Sequence, residues 1–148
     1  MVFTEEIEIA APVEAVFGCL ANKHRIERKP GALVPRLDKL TAGPVGVGTR
    51  FVEEVRMFPG VISTIRSRVT RFDSGVALEE EFEGAGLVGT MRYSFDQTGS
   101  GTRLTHVQEM RFLGLYRGFN LILPVFRIAM RRRLQAIKAL LESGAAAA

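Results

Sequence analysis

The hydrophobic pattern of the chain changes period three times. Residues 2–9, Val-Phe-Thr-Glu-Glu-Ile-Glu-Ile, read as a first strand that Ala10-Ala11-Pro12 breaks. Proline suits the first turn of a helix, where a missing N–H costs nothing. Val13, Val16, Phe17 and Leu20 then recur at helical spacing, which predicts a short amphipathic helix over 12–21. Residues 22–30 are predicted as a second short helix, ended by Pro30-Gly31. From residue 33 the period is two, with strands over 34–41, 48–58, 61–72, 76–83, 87–97 and 102–113. Between them stand Gly43-Pro44, Pro59-Gly60, Asp73-Ser74-Gly75, Gly84-Ala85-Gly86 and Gly99-Ser100-Gly101, all turn sequences. Short links between alternating strands predict an antiparallel meander.

The last element has a different period. Phe119, Ile122, Phe126, Met130, Leu134, Ile137 and Leu141 step by three or four residues, forming one apolar stripe on a helix of about 25 residues. Pro124 either kinks its first turns or marks its true start. Ser143-Gly144 ends it, leaving residues 1–144 as one domain and Ala145–Ala148 as an expected disordered tail. The order is strand, two short helices, six strands, long helix. This is an α+β fold with a seven-stranded curved antiparallel sheet wrapped around the long C-terminal helix. A sheet has a concave apolar face to cover, and one helix covers it incompletely, which predicts a cavity between them.

Alternation assigns the side chains that face this cavity. On the last strand Leu104, His106, Gln108, Met110 and Phe112 share the inner face, with an imidazole and an amide among apolar neighbours. The 48–58 strand turns Phe51, Glu53, Val55 and Met57 inward, the 76–83 strand Leu78, Glu80 and Phe82, and the 87–97 strand Met91, Tyr93 and Phe95. The 61–72 strand adds Ser63 and Ser67, and the helix adds Phe126 and Met130. Burying an unpaired polar group costs about 1–3 kcal/mol. Five larger polar groups on an apolar wall (Glu53, Glu80, Tyr93, His106 and Gln108) therefore mark a ligand contact, as small-molecule sites combine an apolar lining with a few placed polar groups. The structural alternative puts the carboxylates at the sheet rim and pairs His106 and Gln108 with them or with water. A register shift of one residue would turn all of them outward. A desolvated carboxylate and a histidine also permit acid–base chemistry, with His106, Glu53 and Glu80 as candidate catalytic groups.

Charge and motif content narrow the remaining classes. The 148-residue chain carries a net charge of +4, with basic clusters at Lys23, His24, Arg25, Arg28 and Lys29 and at Arg127, Arg131, Arg132, Arg133 and Lys138. The plain reading of both is a solvated helix face. Arg131-Arg132-Arg133 splays over three sides of a helix, while Arg127 and Arg131 share one side and would flank the cavity mouth, allowing transient contact with an anionic membrane surface. Nucleic acid is not an expected partner, because the aromatics point inward instead of interleaving with basic residues. Cys19 is the one cysteine, so no internal disulfide forms and the thiol is expected to pack in or near the first helix. Glu5, Glu6 and Glu8 interrupt any leader-like apolar core, and the run Leu121–Phe126 is far shorter than a membrane span, so a cytoplasmic protein is expected. Gly43 to Arg50 has the glycine spacing of a phosphate loop, but Thr49 stands where lysine is required and a strand follows. His24 and His106 have no paired ligand spacing, and no serine sits in a nucleophile elbow. Neither a metal nor another cofactor is expected.

Four segments in this order resemble the START/Bet v 1-like (SRPBCC) superfamily, in its bacterial polyketide cyclase/dehydrase and lipid-transport branch. They are Ile9 to Phe17 at the first strand–helix junction, Val47-Gly48-Thr49-Arg50-Phe51, Gly101-Thr102-Arg103-Leu104-Thr105, and Leu134 to Glu142. The resemblance spans essentially the whole chain. It implies a helix-grip fold with a hydrophobic cavity, and a monomer or homodimer that binds a lipid-like or polyketide-like molecule as carrier or sequestering protein. Phe51, Val55, Leu78, Phe82, Met91, Phe95, Met110, Phe112, Phe126 and Met130 would line the cavity, and Glu53, Glu80, Tyr93, His106 and Gln108 would orient polar groups. A minority of such proteins catalyse cyclisation or dehydration, for which His106 with a cavity carboxylate is the candidate pair. The third reading is a basic-helix module for membrane or protein contact.

Overall fold

The computed structural model describes residues 1–28 and 31–144, without the side chains of Met57, Phe58 and Leu123. Seven strands form one antiparallel sheet: β1 (Val2–Ile9), β2 (Arg36–Lys39), β3 (Arg50–Phe58), β4 (Val61–Asp73), β5 (Ala77–Gly84), β6 (Leu87–Thr98) and β7 (Gly101–Phe112). Their spatial order is β1-β7-β6-β5-β4-β3-β2. Hairpin links dictate the meander from β2 to β7, and the long connection after β1 lets that strand pair with β7 at the far edge. Bulges at Arg56/Phe58 in β3 and Val69/Arg71 in β4 bend the sheet.

Helix α1 (Val13–Ala21) follows Pro12, and Val16, Phe17, Leu20 and Ala21 are buried. The second predicted helix contracts to a single 3₁₀ turn, Lys23–Arg25. Residues 22–30 carry no apolar stripe at helical spacing, so nothing drives a longer helix there. Lys29 and Pro30, where that helix was expected to end, lie outside the described residues, as does the tail from Ala145.

Two segments that carry the family resemblance meet in space. Thr102 Oγ1 donates to the Ala11 carbonyl at 2.8 Å, tying β7 to the β1–α1 junction. Gly101 has φ +152°, and a Cβ there would lie 2.2 Å from the Ile9 carbonyl oxygen, so only glycine fits.

The long helix starts later than its stripe. Residues Gly114–Ile122 form a 3₁₀ segment, and helix α2 (Leu123–Glu142) begins with Pro124 in its first turn. Pro124 thus marks the start. Phe119 and Ile122 stand before it, remain 38% and 37% exposed, and leave the stripe, because the 3₁₀ segment does not continue the helical phase. Phe119 instead packs its ring against Phe112 and Tyr116. Within α2, Met130, Leu134, Ile137 and Leu141 are buried and Phe126 is partly buried, all in one core with the inner face of the sheet. Burial of each such side chain contributes about 1.5–3 kcal/mol.

Polar tethers hold the helix to β1. Glu5 accepts from Arg127 Nε at 2.5 Å and Arg131 Nε at 3.0 Å. Partial burial raises the Glu5 carboxyl, but the two guanidiniums outweigh it and hold the group below its ordinary value. Lys138 donates to the Glu8 carbonyl at 2.6 Å. Among the described residues, no helix is long and apolar enough to cross a membrane.

Candidate functional site

The period-two assignment of the inner face holds along the sheet. Phe51, Glu53, Leu78, Glu80, Phe82, Met91, Tyr93, Phe95, His106, Met110 and Phe112 are buried, and Val55 and Gln108 are partly buried. Ser67 is buried and Ser63 is partly so. The side chain of Met57 lies outside the described residues. Register explains the grouping: His106 is the direct cross-strand partner of Tyr93, Gln108 that of Met91, and Met91 that of Glu80. The centres of β5, β6 and β7 thus bring Glu80, Tyr93, His106 and Gln108 together on the inner face.

A cavity of about 90 Å³, open at one side, lies between sheet and helix. Glu53, Val55, Phe82, Met91, His106, Gln108, Met110, Phe126 and Met130 line it. Phe51, Leu78, Glu80, Tyr93, Phe95 and Phe112 do not reach it and belong to the surrounding core. Leu33, Val34, Ile65, Leu87, Ala129 and Arg133 complete the wall. A broader depression of about 960 Å³ is lined by Arg50, Arg66, Arg68, Glu81, Glu83, Glu109 and Arg111 together with a few apolar groups. Arg68 pairs with Glu81, and Arg66 stands opposite Glu83 in the β4–β5 register. A solvated charged surface accounts for the depression without a ligand.

Two basic residues correct the expectation of solvated clusters. Lys23 is buried, and its Nζ lies 2.9 Å from Glu80 Oε2, with each side chain 3% exposed. The same ammonium sits 4.7 Å from the Phe51 ring centroid. Glu80 is therefore not at the rim but is half of a buried ion pair. Arg133 turns inward and lines the cavity. It stands three residues after Met130 and four before Ile137, so it shares their face of the helix. That spacing could have located it, whereas nothing around Lys23 in sequence signals burial. Arg127 and Arg131, expected as an anion-attracting pair, are occupied by Glu5.

The remaining polar groups lack partners. His106 Nδ1 and Nε2, Tyr93 Oη, Glu53 Oε2 and Ser67 Oγ are buried and find no hydrogen-bond partner among the described residues. His106 is 1% exposed and stacks on Tyr93, with ring centroids 4.4 Å apart and planes at 22°. Burial, with the positive field of Arg133 adding to it, pushes its imidazole down to about 3, so it is neutral at physiological pH. Burial raises the Tyr93 phenol. Arg133 is held above its ordinary value by the field of Tyr93 first, against the opposing effect of burial, with Glu53 and Glu80 adding. Burial lowers Arg28, whose Nη2 donates to the Lys23 carbonyl.

The interior therefore gathers three cations (Lys23, Arg28 and Arg133) and two carboxylates (Glu53 and Glu80) around a neutral imidazole and phenol. Gln108 has an apolar environment and only a weak contact, Nε2 to Met110 Sδ at 3.5 Å. Among the described residues no group of histidine, cysteine and carboxylate side chains is placed to hold a metal. Cys19 is a free thiol in α1, raised by burial.

The family model described as polyketide cyclase/dehydrase and lipid transport matches residues 1–142. No curated protein matches the chain in sequence. Among solved structures, a protein from Mesorhizobium loti superposes with a TM-score of 0.74 at 16% identity, covering 97% of this chain and 98% of that one. A protein from Nitrosomonas europaea gives 0.73 at 16%, covering 99% and 97%. The di-domain ARO/CYC protein StfQ of the steffimycin biosynthetic pathway gives 0.77 at 18%, covering 97% of this chain and 51% of StfQ. At these identities the likeness is one of fold. The match over nearly the whole length, on a sheet that grips its C-terminal helix, places the chain in the polyketide cyclase/dehydrase and lipid transport family of the SRPBCC superfamily.

Proposed function

We propose that the protein reversibly binds a small apolar or aromatic molecule carrying an oxygen-rich polar group, and serves as its carrier or sequestering protein. One observation carries this reading: an apolar cavity whose wall holds His106 and Glu53, with Tyr93 stacked behind His106, all with buried polar atoms that find no hydrogen-bond partner among the described residues. Each such group forfeits about 1–3 kcal/mol until something pairs with it. The neutral imidazole offers one donor and one acceptor, and Arg133 offers a planar fork for a carboxylate, phenolate or enolate oxygen. Of the charged groups on the cavity wall Arg133 is the cation and Glu53 the carboxylate, so an acidic group on the ligand would bind at Arg133.

At about 90 Å³ the cavity is smaller than the engineered void of about 150 Å³ that holds benzene. Admission of a larger molecule thus requires the first turns of α2 and the 3₁₀ segment before it, which buries no residue, to move off the sheet. The acid–base alternative has less support. With its imidazole at about 3, His106 is not an imidazolium near neutrality, so it lacks the acidic form a general acid needs and is a weak base there. It is suited to orienting a ligand.

The test is native mass spectrometry of the protein from its own host, then denaturation and identification of any released compound. A stoichiometric apolar acid or phenol supports the reading. Arg133→Met should then weaken binding of that compound at least about tenfold, roughly the worth of one charge-assisted contact, while binding of its neutral ester changes little. An empty protein that turns over an added aromatic polyketide would overturn the carrier role.

A further inference from the structure

One end of the molecule displays apolar side chains that none of the described residues covers. In the 3₁₀ segment Leu115 is fully exposed and Leu121 is 87% exposed. On α2, Val125 is 64% and Ile128 52% exposed. The outward face of α2 continues as Arg132, Gln135 and Ala139, so its apolar part is confined to the first turns. The opposite lip of the cavity is also apolar. Leu33 lines the cavity and is exposed, and its carbonyl accepts from the Arg56 N–H at 2.8 Å. Arg56 pairs with Ile62 in the β3–β4 hairpin, where Val61 and Ile62 are exposed. Exposed apolar patches of more than a few hundred Å² mark interaction sites.

The charge of the same segment identifies the partner. From Arg111 to Leu141 there are seven basic residues and no acidic one. Glu5 occupies Arg127 and Arg131, Glu142 occupies Lys138, and Arg133 faces the cavity. Arg111, Arg117 and Arg132 remain exposed. We propose that this end docks onto an anionic lipid bilayer. Leu115, Leu121, Val125 and Ile128 enter the boundary between headgroups and acyl chains, and Arg117 and Arg132 meet lipid phosphates. The cavity mouth then opens against the bilayer, so that an apolar ligand passes between membrane and cavity without crossing water. The docking stands on the surface alone, and only this purpose rests on the carrier reading.

Vesicle flotation tests it with no cavity ligand added. The full chain should float with phosphatidylcholine–phosphatidylglycerol vesicles and not with phosphatidylcholine alone. Leu115→Asp/Leu121→Asp should cut partitioning at least about tenfold, and Arg117→Glu should weaken it further. Because these side chains are exposed, unchanged thermal unfolding would show the variants folded. The chain has no tryptophan. Leu121→Trp therefore supplies a single emission probe, which should shift to the blue on anionic vesicles only. Failure to float, flotation insensitive to the aspartates, or equal affinity for neutral vesicles would overturn the proposal. So would a concentration-dependent dimer that the same aspartates abolish, since a second copy would then cover the patch. Binding of a soluble fluorescent acid in vesicle-free buffer reports on the cavity separately, so either reading can fail alone.

Discussion

His106 shows how one residue links burial, stability and ligand contact. Its folded value of about 3 lies below the ordinary 6.5. Between these pH values the unfolded chain takes up a proton that the folded chain refuses. The stability that His106 contributes is therefore complete above 6.5 and declines as pH falls toward 3, by up to about 1.4 kcal/mol per unit. His106→Phe removes this linkage and keeps a ring against Tyr93. Denaturant titrations from pH 7 to pH 4 should show wild type losing about 3 kcal/mol more than the variant, and parallel pH curves would refute the assignment. The Lys23–Glu80 pair behaves differently. Removing one partner of a buried pair strands the other, at a cost of about 3–5 kcal/mol. Lys23→Met should cost that much, and Lys23→Met/Glu80→Leu should recover most of it. A double variant as unstable as the single one would show that the ion pair itself, with its Phe51 contact, is what the core requires.

Among the elements, β6 makes room for its neighbour through Gly89. A Cβ there would lie 2.5 Å from Phe82 Cζ and 2.2 Å from the Glu109 carbonyl oxygen. Phe82 lines the cavity and is the cross-strand partner of Gly89, so the ring occupies the space a side chain would take. Gly89→Ala should destabilise the protein by about 1–3 kcal/mol, as overpacking does, and should displace Phe82 into the cavity, weakening ligand binding. Calorimetry with an unchanged midpoint would show that β6 relaxes around the added methyl group. Helix α2 divides into two parts. Its second half is anchored by Leu134, Ile137, Leu141 and the Lys138 contact to β1, whereas its first turns carry exposed Val125 and Ile128. The segment before it buries no residue. Local opening draws on regions with few buried contacts, so the proposed carrier role would place its opening at this end, against the Arg127–Glu5 tether.

At the scale of the whole molecule, alternation and turn chemistry in the sequence determined the seven strands, their inward residues and the closing helix. Period two leaves each side chain only two faces, and apolar neighbours decide between them, so burial of Glu53, Glu80, Tyr93 and His106 was legible from strand pattern alone. Pro124 left two readings, a kink or a start, and the folded helix decided for the start. Tertiary structure alone decided where the charges went. Lys23 sits 57 residues from Glu80, and no local pattern links a 3₁₀ turn to the middle of β5. Glu5 and Arg131 are 126 residues apart and meet only because β1 closes the sheet against β7 beneath α2. The reason is physical: hydrophobic periodicity is a property of successive residues, whereas an ion pair is set by which elements the packed core brings together, and a basic residue reads as solvated until its partner is in place.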